Sequence, residues 1–241
     1  MISLLPVEGL PEVAAGDDLA ALISAAASLA SGDVVVVAQK VVSKAEGRVV
    51  RLADVEASPE AIELAAGEVD PREIEVILSE SGRIVRSRPP FIVSETRHGL
   101  ICASAGVDHS NSGEDDVLIL LPEDPDASAR RLREGLRTLT GVEVAVIVTD
   151  SFGRPFRMGT TDVAIGVAGL APIRDLRGTQ DRDGRVLRST LIAVADELAS
   201  AADLARGKES GVPVVIVRGF PLEGDGSARD LVMPRERSLF D

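Results

Sequence analysis

The stretch Val144 to Arg154, VAVIVTDSFGR, ends a run of apolar residues in groups that can do chemistry. Val144 to Val148 are all apolar, and all but Ala145 are β-branched, which predicts a fully buried strand. The run stops at Thr149-Asp150-Ser151, with Gly153 and Arg154 just beyond. That puts a carboxylate and two hydroxyls at the rim of a sheet, where α/β proteins carry out phosphate and metal chemistry. Taken alone, Asp150 reads as the start of a turn that Ser151 caps. A second stretch shifts the balance. Ile101 to Asn111, ICASAGVDHSN, also passes from apolar through small residues to an acid, Asp108, and then to Asn111. Two carboxylates ending two apolar segments, with hard oxygen donors beside them, suit Mg²⁺ or Mn²⁺ holding phosphate. Asp108 and Asp150 are therefore the candidate catalytic and metal-ligating pair.

A third stretch, KVVSKAEGR from Lys40 to Arg48, follows a predicted buried strand directly. Read as extended chain, alternation puts Lys40, Val42 and Lys44 on one side, with Ser43 between them. Cations and a hydroxyl at a sheet end would steady phosphate oxygens; taken alone, two solvated lysines explain the same residues. Lysine occurs only at 40, 44 and 208, so each position asks for a reason. Gly207-Lys208 closes a predicted helix instead of opening one, and Ala202 stands where a Walker A loop needs its first glycine. Neither GxGxxG nor the GxSxG of serine hydrolases occurs. His98 and His109 lack metal-ligand spacing, and His109 reads as a loop residue beside Asp108.

The elements that must hold these groups are legible from pattern. A chain of 241 residues with 45% hydrophobic content buries a sizeable core, as one large domain or two interlocked subdomains. Strands are predicted over 2–7, 34–38, 84–85, 91–93, 100–103, 117–121, 144–148 and 213–217, with those between 84 and 103 forming an antiparallel meander. Asp17-Asp18, Ser58-Pro59, Asp70-Pro71 and Asp124-Pro125 open helices, the last running to Arg137 and closing at Gly141. Another helix spans 193–206. Residues 159–170, rich in Gly, Ala and Val, read as a closely packed strand pair, and 174–185 as a polar excursion with an Asp-Gly turn. The tail over about 221–241 reads as peripheral. Helices and strands mix without strict alternation, so the expected class is α+β.

Composition narrows the partners. Aromatic residues make up 2%, with no Trp or Tyr, and the formal net charge is −13. A nucleic-acid partner needs stacking faces and a basic surface, so none is expected. Cys102 is the lone cysteine, which rules out an intrachain disulfide and a cysteine zinc cage. No apolar segment is long enough to span a bilayer and no leader precedes the first strand, so no membrane partner and a cytoplasmic location are expected.

The chain resembles the coenzyme F420-0:L-glutamate ligase (γ-glutamyl ligase) family. The resemblance rests on LPVEGLPE (5–12), GDD (16–18), GDVVVVAQKVVSKAEGR (32–48), AGVDHSN (105–111) and LPEDPDASA (121–129). It continues through VTDSFGRPFR (148–157), AIGVAGL (164–170), VADELASAADLARGK (194–208) and PVVIVRG (213–219), in the family's order and over nearly the whole length.

That resemblance implies a GTP-dependent ligase that adds L-glutamate to coenzyme F420-0, and then a further γ-linked glutamate, through an acyl phosphate with release of GDP and phosphate. It implies two Mg²⁺ or Mn²⁺ ions and a possible K⁺, and largely antiparallel mixed sheets with flanking helices in two interlocked subdomains. It also implies an intertwined homodimer and a single stand-alone ligase domain over 1–241, without the flavin-binding reductase-like domain fused in some actinobacterial relatives. By position, Asp108 and Asp150 correspond to ligands of one metal and Ser151, where Thr is commoner, to a ligand of the second. Leu10, Pro11, Glu12, Val13, Lys44 and Asn111 correspond to GTP contacts, as does Gln39, where Ser is commoner. Residues 204–211, with Gly207 and Lys208, correspond to a nucleotide-binding loop. Some members carry a metal-ligating acid where Lys208 stands, so either Lys208 replaces metal charge or Glu209 takes the ligand role. A metal-dependent nucleotide phosphohydrolase and a non-catalytic nucleotide- or F420-binding module are the competing readings.

Overall fold

The computed structural model describes residues 1–109, 116–207 and 210–239. In chain order come β1 (Ser3–Pro6), α1 (Leu19–Ala26), β2 (Val34–Ala38), α2 (Gln39–Ala45) and β3 (Val49–Arg51). Helices α3 (Pro59–Ala65) and α4 (Pro71–Glu80) precede β4 (Ser81–Arg88), β5 (Phe91–Thr96), β6 (Ile101–Ala103) and β7 (Val117–Ile119). Helix α5 (Pro125–Thr140) leads into the long strands β8 (Ala145–Arg154) and β9 (Arg157–Ala168). The short β10 (Arg174–Asp175) and β11 (Leu191–Ile192), then α6 (Val194–Arg206) and β12 (Val214–Arg218), follow.

The main sheet has the order β1-β12-β2-β8-β9, in which β2 and β8 are parallel and every other pairing is antiparallel. The β4-β5-β6 meander and the pairs β3-β7 and β10-β11 are antiparallel too. The class is α+β, as expected: mixed, mostly antiparallel sheets with flanking helices.

Strand β2 reads Val-Val-Val-Val-Ala, and Val34 to Val37 are fully buried because both faces of the sheet are covered. Val35 and Val37 pack with Ile23 of α1 and Leu132 and Leu136 of α5. Val34 and Val36 pack with Ala195, Leu198 and Ala202 of α6. Each buried valine stabilises the fold by roughly 1.5–3 kcal/mol, so the β2–β8 pair is the rigid centre. The helices begin where capping chemistry puts them: the side chains of Asp18, Ser58, Asp70 and Asp124 accept from backbone N–H groups of the first turn. A third apolar cluster, around Ile74, Ile77, Ile92 and Ala105, joins α3 and α4 to the meander.

Three local expectations need correction. Gln39 to Ala45 is not extended: it is the helix α2, in which Lys40 and Lys44 share a face by i,i+4 spacing while Val42 is buried. The β-branched pair Val41-Val42 favours strand locally, and packing of Val42 into the main core overrides that preference. Strand β8 does not stop at Val148; its parallel partner ends at the Ala38–Thr149 register, and β8 runs on to Arg154 paired with β9 alone. Residues 159–170 are not a strand pair but largely the single strand β9. Its length is accommodated by a register shift between Val148 and Thr149, which leaves Ile165 as an extra residue on β9. No helix among the described residues is long and apolar enough to cross a membrane.

Candidate active site

The carboxyl ends of the two parallel strands open into a cavity of about 780 Å³, within the range of small-molecule sites. Open sheets place ligands at this end because the chain leaves the strands in diverging directions there. From β2 the chain enters α2, which brings Gln39, Lys40 and Lys44 to the wall; from β8 it brings Thr149, Asp150 and Ser151. The loop after β1 contributes Leu10, Pro11, Glu12 and Val13, and the end of α6 contributes Arg206 and Gly207. Cys102 and Asp108 arrive from the meander side. The described candidate residues, drawn from positions 10 to 207, thus line one cavity. Asn111, Lys208 and Glu209 lie outside the described residues.

Asp108 is set by a tightly bent approach. Ser104, Ala105 and Gly106 have φ of 50°, 52° and 73°, in the left-handed region. Such a conformation costs on the order of 1 kcal/mol or more for each non-glycine residue. Ala105 is held there by burial in the meander core, and a Cβ on Gly106 would meet Leu121 at 2.7 Å. Asp108 then exchanges backbone hydrogen bonds with Ile119, at 3.0 and 2.9 Å. Its carboxylate faces Lys40 Nζ at 3.0 Å.

Asp150 lies at the heart of the charge cluster. Its carboxyl is pushed up to about 7, first by burial and then by the charges of Asp108 and Asp162, against a backbone N–H from Ser151 and the charge of Lys40. Burial and the same Asp150 charge push the Cys102 thiol up to about 12, so this cysteine is an inert wall residue. Lys44 Nζ pairs with Glu12 Oε1 at 2.5 Å, tying the loop after β1 to α2. Gln39 is 1% exposed; its Oε1 accepts from Ser43 Oγ at 2.8 Å, while its Nε2 has no partner among the described residues.

On the face towards α6 sits a network that sequence reasoning missed. Asp162 accepts from Ser151 Oγ at 2.6 Å and from Thr149 Oγ1 at 2.9 Å. Arg206 Nη1 lies 3.3 Å from Asp162 Oδ2, and its Nη2 donates to Thr149 Oγ1 at 3.2 Å. The signal was an aspartate inside an apolar β-patterned run, and an arginine ending an Ala-rich helix. Both are charged residues at positions that bury.

The donor set suits a hard divalent cation. Asp150 carries a carboxyl whose negative form is opposed by its own neighbours, and a cation between Asp108 and Asp150 relieves that opposition. Among the described residues no group of three or more His, Cys, Asp and Glu side chains is already gathered to hold a metal. An ion here would therefore need hydroxyl, water or substrate oxygens to complete its shell.

The fold thus gathers acidic, basic and hydroxyl side chains around one cavity at the carboxyl ends of a parallel strand pair. The family profile described as F420-0:Gamma-glutamyl ligase matches residues 9–219. The chain is 50% identical to the coenzyme F420:L-glutamate ligase of Methanothermobacter thermautotrophicus, with 99% of this chain and 98% of the relative covered. It is 48% identical to the coenzyme F420:L-glutamate ligase of Methanopyrus kandleri, with 98% and 97% covered. The protein of that name from Methanocaldococcus jannaschii is 45% identical, with 87% and 84% covered. The chain belongs to the F420-0:gamma-glutamyl ligase family, and it is a ligase.

Proposed function

We propose that this enzyme joins L-glutamate in amide linkage to coenzyme F420-0, and adds a further γ-linked glutamate, at the expense of GTP. The observation that carries the reading is the convergence of Asp108, Asp150, Ser151, Gln39, Lys44 and the 10–13 loop on one cavity, in a chain so similar to three enzymes named for this activity. A carboxylate oxygen of F420-0 attacks the γ-phosphorus of GTP and GDP leaves. The amine of glutamate then attacks the activated carbonyl, loses its proton, and phosphate departs carrying the former carboxylate oxygen.

Asp108 and Asp150 would hold one divalent ion, Mg²⁺ or Mn²⁺, and the Ser151 hydroxyl would serve a second, for which either Lys208 would replace metal charge or Glu209 would take the ligand role. Such ions neutralise charge on the phosphate oxygens as the phosphoryl group moves. The side chains do the rest. Lys44, released from Glu12, binds a phosphate oxygen, and the unpartnered Nε2–H of Gln39 donates to a nucleotide oxygen. Lys40 neutralises Asp108 before substrate arrives and gives it up afterwards. Walls from Val13, Val41 and Phe152 limit water around the activated carboxyl. The same reading includes K⁺ as an accessory ion and a homodimer in the cytoplasm; light scattering on the purified protein tests the dimer.

Incubation with GTP, Mn²⁺, F420-0 and glutamate, followed by mass spectrometry, tests the function. F420-0 heavier by one or two glutamyl residues is expected. GDP released without glutamylation would point to a phosphohydrolase, and intact GTP to a binding module.

A further inference from the structure

We propose that Asp162 is the positioning residue for Ser151: it takes the hydroxyl proton and so presents the serine oxygen lone pairs to a cation in the cavity. This rests on the reading of Ser151 as a metal ligand. Asp162 lies directly opposite Ser151 in the β8–β9 register and is 2% exposed. A serine hydroxyl has one proton and two lone pairs. At 2.6 Å from Asp162 Oδ1 that proton is committed to the carboxylate, so Ser151 can act towards the cavity only as an acceptor. A charge-assisted hydrogen bond of this kind also makes the oxygen a better donor to a metal.

The fold supplies this arrangement deliberately. The extra residue at Ile165 shifts the β8–β9 register, so that Ile165 faces the α5 core while Ala164 faces the α6 core. Side chains alternate along a strand, so without that bulge the parity of Asp162 would be reversed and its carboxylate would point away from Ser151. Three further contacts lock it. Thr149 Oγ1 donates to Oδ2, Arg206 Nη1 faces Oδ2, and Ser200 Oγ donates to the Asp162 carbonyl at 2.8 Å. Both carboxylate oxygens are thereby engaged by protein groups, and Asp162 acts through Ser151. Arg206 keeps a buried Nε with no partner among the described residues.

The test is Mn²⁺ binding to full-length protein in the presence of GTP, with free Mn²⁺ read by electron paramagnetic resonance. Wild type, Ser151→Ala, Asp162→Asn and the double variant are compared. Asp162→Asn should weaken Mn²⁺ binding roughly ten- to a hundred-fold, as loss of a partner behind a metal ligand does. In the Ser151→Ala background the same change should add no more than about two-fold, because the two residues act as one unit. The kcat should fall while the KM for glutamate holds. Asp162→Glu, which keeps a charge facing Arg206, serves as the second variant if Asp162→Asn does not fold; it too should bind Mn²⁺ more weakly. Wild-type Mn²⁺ affinity in a folded Asp162 variant, or losses that multiply in the double variant, would overturn the proposal. Wild-type affinity in Ser151→Ala would instead sink the metal role of Ser151 itself.

Discussion

Replacing Asp150 by Asn should make the metal-free protein more stable at alkaline pH while abolishing its activity. The carboxyl of Asp150 is raised from 3.8 to about 7, chiefly by burial and then by Asp108 and Asp162. The folded state therefore retains a proton between those two values that the unfolded chain has already lost. Stability falls as pH rises through that window, and the whole penalty is present above about 7. A rise from 3.8 to about 7 corresponds to a ceiling of about 4 kcal/mol; water in the cavity brings it to roughly 1–3 kcal/mol. Asn has the same shape, can keep accepting the Ser151 N–H, and never charges. In a chelator-treated sample, Asp150→Asn should match wild type near pH 4. By pH 8 it should melt roughly 2–12 °C higher, at about 2–4 °C per kcal/mol for a chain of this size. Thermal unfolding followed by circular dichroism across pH 4–8.5 measures this. With Mn²⁺ added at pH 8 the order should reverse, since a cation stabilises only the protein that has the carboxylate. A variant no more stable than wild type at pH 8 without metal, or a difference independent of pH, would show that the Asp150 charge does not burden the folded state.

The remaining predictions concern other parts of the cavity and its frame. Lys44→Ala should weaken GTP about tenfold or more in a calorimetric titration without a matching loss of thermal stability, since Glu12, its described ion-pair partner, is 84% exposed. Asp126→Ala should cost roughly 2–4 kcal/mol in urea unfolding. Asp126 accepts from the backbone N–H groups of Val167 and Ala228, each at 2.8 Å, and both would be left buried and unpaired. Gly166→Ala should cost more than about 2 kcal/mol, because its Cβ would fall 2.2 Å from the Pro125 carbonyl oxygen, and backbone cannot yield as a side chain does.

What the sequence reveals follows from how local its causes are. Strand β2 is legible to the residue because four consecutive valines, followed by Ala38, suit a strand buried on both faces. The starts of α1, α3, α4 and α5 are legible because Asp18, Ser58, Asp70 and Asp124 cap within their own first turn. Asp108 and Asp150 are legible as acids that end apolar runs, and the fold brings both to one cavity. Helix α2 is hidden because Val41 and Val42 prefer strand, and its helicity depends on burial against residues far along the chain. Asp162 is hidden for a related reason. Its orientation depends on a one-residue bulge in a strand whose partner was expected to stop at Val148, and no local pattern encodes that offset. The tail holds a further example: Ser227 and Ala228 look peripheral in sequence, yet both bond to the buried Asp126.

In the proposed function the cavity activates an organic carboxylate by phosphorylating it. Oxygen-18 placed in the terminal carboxylate of F420-0 tests this directly, with the inorganic phosphate recovered after one round of glutamylation. One heavy oxygen should appear in each phosphate released. Glutamylated product formed alongside phosphate free of the label would rule out an acyl phosphate.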